Sequence, residues 1–278
     1  MKSTLSPTFN LAFQHREAQS STSPESNAGL AWAEIGLLLA CVAALALGAW
    51  GPFIAQPASY HVFADHRSLW GVPQAMDVLS NLPFAIAGIW GLVILYDKGK
   101  AVLGAEGPLA YLFFAGLIVT SLCSGIYHLH PANTTLALDR LGMVSAFAGL
   151  LGLAVADRIS IRAGRRLTLG ILTAGPLAVI TWTYTGNLLP WVVLQGGGMV
   201  LLATLAVSKP LTGSWLLPMG SMIGFYLLAK FLEIVDCHVF QWSGGYISGH
   251  TLKHLAAAMV AWPVIVAANK TGHIHVGV

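Results

Sequence analysis

Three histidines lie at the ends of apolar segments, where their type and spacing could support metal chemistry. His128 closes the segment that ends Ser124-Gly-Ile-Tyr-His128, whereas His250 and His254 open the last apolar segment. Side chains four residues apart lie on one face of a helix, one turn apart, so this pair can share a ligand. Two histidines from one helix and a third from elsewhere, with one coordination position open, form the ligand set of a catalytic zinc ion. The sequence therefore predicts a zinc site at these histidines; the alternative is that each is a hydrogen-bonded packing residue.

Two further polar residues lie close to these histidines in the sequence. Ser124 precedes His128 by one helical turn on the same face, and Asp139 opens the next apolar segment. A carboxylate beside a metal-activated water can act as a general base and then protonate a leaving amine. A serine hydroxyl can donate a hydrogen bond to an oxyanion. The alternatives are an ion pair with Arg140 or a helix-start charge at Asp139, and a small packing residue at Ser124.

The elements that must position these residues are membrane helices. Charged residues make up 9% of the 278 residues and hydrophobic residues 56%, whereas a soluble domain carries about 25% charged residues. The net charge of +3 and the lack of a basic stripe exclude a nucleic-acid partner. The three cysteines are an odd number without a C-x-x-C motif, so no disulfide framework is expected.

Apolar runs of about 20 residues have the length needed to cross a bilayer. The chain has eight of them, at about 30–50, 77–96, 108–127, 137–156, 167–184, 189–207, 213–234 and 250–268. We therefore predict an all-α, polytopic membrane helical bundle. Because only four residues separate the fifth run from the sixth, a re-entrant hairpin is the alternative at that place.

Polar segments flank this bundle at both ends of the chain. Residues 1–28 are rich in Ser, Thr and Asn and predict a flexible N-terminal tail, and residues 271–278 predict a short C-terminal tail. The transmembrane domain is predicted at 29–270. Glu34 interrupts the first apolar run, and no basic segment directly precedes that run, which favours a retained first helix over a cleaved signal peptide.

The distribution of basic residues predicts the orientation of the bundle, because cytoplasmic loops carry an excess of Lys and Arg. With eight spans, ten of the 14 Lys and Arg residues fall on one side, and Arg67, Arg140, Lys230 and Lys253 fall on the other. Both termini are therefore predicted to be cytoplasmic. The segment ends that carry the three histidines and Asp139 all fall on the non-cytoplasmic side, where they can converge.

The seventh run carries two charged residues near its end. Glu233 lies three residues after Lys230, a spacing that favours a local ion pair within one helix. A polar wall beside the predicted metal site is the alternative. The following loop, 235–249, carries aromatic residues that are typical of the membrane interface and could also line an entrance for a lipid chain: Phe240, Trp242 and Tyr246.

Three motifs resemble those of a known family, the alkaline ceramidases: Ser124-x-x-x-His128, Asp139-Arg-Leu-Gly-Met143 and Ser248-Gly-His250-Thr-Leu-Lys-His254. This family belongs to a wider superfamily of seven-helix membrane hydrolases and receptors, which includes the adiponectin and progestin receptors. Ser80-Asn81 is similar to a Ser-Asn motif in the first core helix of the family. The resemblance covers about residues 65–268, which implies a seven-helix core preceded by one extra helix at 30–50.

The resemblance also implies an activity and a role for each site residue. His128, His250 and His254 would bind zinc, Asp139 would activate the water, and Ser124 would stabilise the oxyanion. The substrate would be ceramide or a related N-acyl lipid, hydrolysed at its amide bond to a sphingoid base and a fatty acid. Two alternatives are a lipid-sensing receptor that retains the zinc site and a hydrolase that acts on lipid esters.

One segment departs from the family, whose members carry an acidic calcium-binding loop before the first core helix. In the corresponding segment Asp65 and Asp77 are the only carboxylates, and His66 and Arg67 lie between them. A calcium ion prefers six to eight oxygen ligands, several of them anionic. We therefore expect zinc as the cofactor and do not expect a calcium site.

Overall fold

The computed structural model describes residues 24–271. Helices make up 77% of it, and within the described range the only β-structure is a pair of isolated bridges. Seven segments in this range are long and apolar enough to cross a membrane. In a bilayer every backbone polar group needs a partner within the protein, and a helix supplies those partners along its own chain. The predicted fold class, an all-α polytopic membrane bundle, is confirmed.

Eleven α-helices follow one another in the described range: α1 Pro24–Trp50, α2 Ala75–Leu79, α3 Leu82–Leu103, α4 Gly107–Leu129, α5 Asn133–Arg158, α6 Ile161–Thr185, α7 Leu189–Ala206, α8 Met219–Ile234, α9 Asp236–Trp242, α10 Gly249–Ala258 and α11 Ala261–Lys270. A 3₁₀ turn, Ala58–His61, lies in the loop between α1 and α2. The segments that are long and apolar enough to cross a membrane are α1, α2 together with α3, each of α4 to α7, and α10 together with α11.

The predicted span at 213–234 differs most from the structure. Its helix, α8, begins at Met219 and has 16 residues, which gives a length of about 24 Å against a hydrocarbon core of about 30 Å. Pro218 disfavours helical geometry in the residue before it, and Leu216 has a positive φ of 54°. The residues before α8 are apolar because they pack into the protein: Trp215 is 4% exposed and Leu217 is 2% exposed.

The fifth and sixth predicted spans are two separate helices. α6 has 25 residues and α7 has 18, and each is long enough to cross the membrane. Gly186 closes α6 in the left-handed conformation that commonly ends a helix. Asn187 Oδ1 then accepts hydrogen bonds from the Leu189 N–H at 3.0 Å and the Ile54 N–H at 3.1 Å. The structure therefore does not support the re-entrant alternative.

α1 lies on the outside of the bundle. None of the side chains in its membrane-crossing part is buried, and it packs against α7. Glu34 joins α1 to the start of α6 by accepting hydrogen bonds from Ser160 at 2.6 Å and Arg162 at 2.7 Å. The helix begins at Pro24, which shortens the tail predicted at 1–28. The rest of that tail, and the C-terminal tail beyond residue 271, lie outside the described residues.

Close packing of α4 against α5 brings the ends of the two helices together. A Cβ atom on Gly116 would lie 2.2 Å from the Ala146 backbone nitrogen, and one on Gly149 would lie 2.5 Å from that of Phe113. Such small residues let membrane helices approach closely. Because only residues 130–132 join the two helices, the last turn of α4 lies beside the first turns of α5.

Candidate metal centre

The side chains of His128, His250 and His254 meet at one end of the bundle, as the sequence predicts. One ring nitrogen of each lies within 4.8 Å of the other two. The Nε2 atoms of His128 and His250 are 3.3 Å apart, and the three residues are 1%, 6% and 6% exposed. Tetrahedral nitrogen ligands that lie 2.0–2.1 Å from zinc are themselves about 3.3 Å apart. Residues of α4 and α10 therefore come close to the dimensions of one metal shell.

Polar contacts fix the start of α10 and so orient its two histidines. Ser248 is the N-cap, and its hydroxyl accepts from the Thr251 N–H at 2.9 Å. The His250 N–H donates to Asp236 Oδ1 at 2.7 Å, and the other Asp236 oxygen accepts from the Ala64 N–H at 2.9 Å. These bonds satisfy N–H groups that the start of a helix leaves free. They hold α10 against both α9 and the loop that precedes α2.

His254 is oriented by Ser80, which the sequence marks only as part of a family motif. The Ser80 hydroxyl donates to the Asp77 carbonyl at 2.9 Å and lies 2.7 Å from His254 Nδ1. A hydroxyl has one hydrogen to donate, so towards His254 it is the acceptor and Nδ1 carries the proton. Nε2 is then the free nitrogen for the metal centre. Outer hydrogen bonds of this kind fix the tautomer of metal-binding histidines.

The loop between α1 and α2 covers the histidines with an aromatic ring. The centre of the Phe63 ring lies 4.9 Å from that of His128 and 4.5 Å from that of His250. Phe63 is buried, and the Nδ1 atom of His128 is buried without a hydrogen-bond partner among the described residues. The site is therefore shielded from water on this side. Sequence reasoning missed Phe63, because no local pattern marks a loop residue that meets the histidines only in the folded chain.

The arrangement of the histidines fits a metal ion. Three buried imidazoles that point at one another would, without a cation, leave nitrogen lone pairs together away from water, which costs free energy. A divalent cation removes that cost, and three imidazole ligands leave a coordination position open, as in catalytic zinc sites. Imidazole suits zinc, copper, iron and nickel. The structure thus supports a metal site at the three predicted residues, and the choice of zinc belongs to the proposed function.

Ser124 and Asp139 lie at the same end of the bundle, on two helices that pack against each other. Ser124 is buried in the last turns of α4, and Asp139 lies in the second turn of α5. Arg140 points elsewhere: its Nη2 donates to Gln56 Oε1 at 2.7 Å, and its Cζ lies 4.0 Å from the centre of the Trp182 ring. The contacts of Arg140 therefore do not support the alternative that Asp139 serves only as its ion-pair partner.

The Lys230–Glu233 pair is part of a larger network. The two residues pair within α8, as their spacing predicts. In addition, Lys253 of α10 donates to the other Glu233 oxygen at 2.6 Å. The interpretation as a local pair is therefore incomplete, because a spacing of three residues reports contacts within one helix and not contacts between helices.

Asp65 is paired within its own loop. Arg67 Nε donates to Asp65 Oδ1 at 2.8 Å, and Arg67 Nη2 donates to Asp65 Oδ2 at 2.6 Å. Burial alone would raise the pKa of Asp65, but the hydrogen bonds from Arg67 outweigh it and hold that pKa below its usual value. A carboxylate whose two oxygens both accept from an arginine is not free to bind calcium. The second carboxylate of this segment, Asp77, accepts from Thr251 Oγ1 at 2.7 Å.

No protein-family model matches this chain, and no curated protein matches it. The resemblance to the alkaline ceramidases therefore rests on the sequence motifs. What the structure adds is a polytopic membrane bundle with three histidines placed to hold a metal ion. The orientation that the basic residues indicate, with cytoplasmic termini and the site on the other side, stays a prediction.

Proposed function

We propose that this protein is a zinc-dependent membrane amidase that hydrolyses ceramide or a related N-acyl lipid. The observation that carries the proposal is the convergence of three buried histidine nitrogens within 4.8 Å, with Ser124 and Asp139 at the same end of the bundle. The motifs support it, because these five residues match the positions of the ceramidase motifs. The apolar helices support a lipid substrate, since an acyl chain can lie along them while its amide reaches the histidines.

In this proposal each site residue has one role. His128, His250 and His254 would hold the metal, which would supply Lewis-acid chemistry at the amide carbonyl and at a water molecule. Asp139 takes a proton from the attacking water as the water oxygen bonds to the carbonyl carbon, and delivers the proton to the amide nitrogen as the C–N bond breaks. Ser124 donates a hydrogen bond to the carbonyl oxygen while negative charge develops there. The products are a fatty acid and a sphingoid base.

Two further residues, Ser80 and Phe63, orient or cover the histidines without contacting the substrate in this proposal. Ser80 keeps His254 in the tautomer that leaves Nε2 free, and so it is a positioning residue. Phe63 covers the rings of His128 and His250 and excludes water from that side. Exclusion of water strengthens the electrostatic interactions within the site.

Metal analysis of the purified protein, combined with fatty-acid release from ceramides and from matched ester lipids, tests the proposal. We expect roughly one zinc ion per chain, held by the three histidines, and release of fatty acid from the amide. Release from esters alone would replace the amidase with a lipid-ester hydrolase. Zinc binding without release from either lipid would overturn the proposal in favour of a lipid-sensing receptor.

A further inference from the structure

A charged network crosses from α8 to α10 beside the metal centre. Lys253 Nζ donates to Glu233 Oε1 at 2.6 Å, and Glu233 Oε2 accepts from Lys230. The side chains of Lys253 and Glu233 are 19% and 28% exposed, whereas that of Lys230 is 50% exposed. Ionisable side chains in membrane helices are costly, and one that is only partly compensated by its neighbours is a candidate for function. This network therefore requires an explanation beyond helix packing.

The network carries one positive charge more than a neutral ion pair requires. Glu233 is its single carboxylate, and it is shared by two lysines. An ammonium group has three N–H donors, so the bond from Lys230 to Glu233 leaves two donors for another acceptor. The half-exposed Lys230 is also the member of the network that an incoming ligand can reach. An exposed ammonium group with free donors suits an anionic ligand.

The position of this network relates it to the candidate metal centre. Lys253 directly precedes His254 on α10, and its ammonium group donates to Glu233 of α8. The network thus lies at the end of the bundle where the proposed reaction occurs, on the helix that carries two of the three histidines.

We infer that Lys230 and Lys253, bridged by Glu233, form a subsite for a lipid carboxylate next to the metal centre. The inference rests on the proposed function and narrows its ligands. The carboxylate can be that of the released fatty acid, or that of an N-acyl amino acid substrate, which lies a few bonds from the scissile amide. Hydrogen bonds from ammonium groups to carboxylates are shorter and stronger than those between neutral groups.

Binding of dodecanoate and of its neutral analogue dodecanol to the purified protein in nanodiscs tests the subsite without requiring turnover. Lys230→Met should weaken dodecanoate binding roughly tenfold, because a charge-assisted hydrogen bond is lost, and should leave dodecanol binding unchanged. Lys230→Arg should restore dodecanoate binding. Lys209→Met removes an exposed loop lysine at the opposite end of the bundle, and this control should change neither ligand.

Glu233→Gln separates an anion subsite from a purely structural bridge. Removal of the carboxylate raises the net charge of the network, so dodecanoate should bind more tightly than it does to the parent protein. If Glu233→Gln and Lys230→Met weaken both ligands alike, the network only joins α8 to α10 and the inference is overturned. Unchanged dodecanoate binding in Lys230→Met overturns it as well.

Kinetic measurements distinguish the two sources of the carboxylate. If the subsite binds the substrate head group, Lys230→Met raises KM for N-dodecanoylglycine and leaves KM for a ceramide of the same chain length unchanged. If it binds the product, the variant instead relieves the inhibition of ceramide hydrolysis by dodecanoate. A parent protein that binds dodecanoate through Lys230 but hydrolyses no lipid amide would contradict the proposed function and leave the subsite in place.

Discussion

The two ends of the bundle both bury ionisable groups, but they compensate the charge differently. At the end opposite the histidines, the fully buried Asp157 pairs with its neighbour Arg158. Asp157 Oδ2 also accepts from the Leu217 N–H at 3.2 Å, and Arg158 Nε donates to the Leu205 carbonyl at 3.2 Å. These contacts tie the loop between α7 and α8 to the end of α5. The charge of Asp157 is matched there by Arg158 and by a backbone N–H at Oδ2, although Oδ1 has no hydrogen-bond partner among the described residues.

At the histidine end, groups of the same kind face one another. Three imidazoles direct nitrogen atoms to a common centre, and two lysines share the single carboxylate of Glu233. Such neighbours are unfavourable together unless a ligand of opposite character joins them. The comparison teaches that a buried ionisable residue in a membrane bundle is not by itself a sign of function. What indicates function is a buried group whose charge or lone pairs are not compensated by its neighbours.

Among the substitutions at the histidine end, removal of one histidine should have the largest effect on metal content and activity. We expect His254→Ala to lose metal and activity together, because two remaining protein ligands hold a catalytic zinc ion poorly. Metal content and fatty-acid release of the purified protein measure the two losses. His130→Ala, at the exposed C-cap of α4, is the control and should retain both. Full metal occupancy in His254→Ala would show that the metal lies elsewhere.

Asp139→Asn should separate catalysis from metal binding. Asn keeps the shape of the side chain and a hydrogen bond, but it cannot accept a proton, so the rate should fall by about 10²–10⁴-fold while the metal stays bound. The same metal and release assays measure both quantities. Asp97→Asn, at the exposed end of α3 away from the histidines, should leave the rate unchanged. Hydrolysis by Asp139→Asn at the parental rate would make Asp139 a structural residue.

The sequence predicts those features of the fold and of the site that are visible as a local pattern of residues. Apolar runs of bilayer length predict the helical bundle, and the spacing of His250 and His254 predicts a shared ligand. His128 joins the prediction because the number of spans places its segment end on the same side of the membrane. The run at 213–234 shows the limit of this reasoning. Trp215 and Leu217 are apolar because a loop buries them, and burial alone does not specify a helix.

Contacts between segments far apart in the chain could not be predicted in this way. Ser80 meets His254 across 174 residues of sequence, and Lys253 meets Glu233 between two helices. Phe63 reaches the histidines from an irregular loop, which has no periodicity. Each of these residues modifies a group that the sequence does identify. The sequence therefore predicts the metal-binding residues of the site better than the residues that orient and cover them.

Ser80→Ala should have a smaller effect than loss of a metal ligand. The variant removes the acceptor that fixes the His254 tautomer, and loss of such an outer hydrogen bond typically lowers metal affinity by roughly 10–100-fold. Zinc titration against a competing chelator measures the affinity. Ser214→Ala is a matched control, because Ser214 is also a buried serine but lies at the opposite end of the bundle. Equal affinity in Ser80→Ala and the parent would remove Ser80 from the site.

Substitution in the Asp157–Arg158 pair, at the end of the bundle opposite the histidines, should have the smallest effect on the metal site. Asp157→Asn leaves Arg158 without its carboxylate in a buried position, and loss of one partner of a buried ion pair costs on the order of 3 kcal/mol of stability. The thermal unfolding midpoint should therefore fall, while zinc affinity in the chelator titration should equal that of the parent. Adding Arg158→Met should recover part of the lost stability, since the unpaired charge is then removed. If Asp157→Asn lowers zinc affinity as much as Ser80→Ala does, the two ends are coupled, and the distinction between matched and mismatched burial fails for this protein.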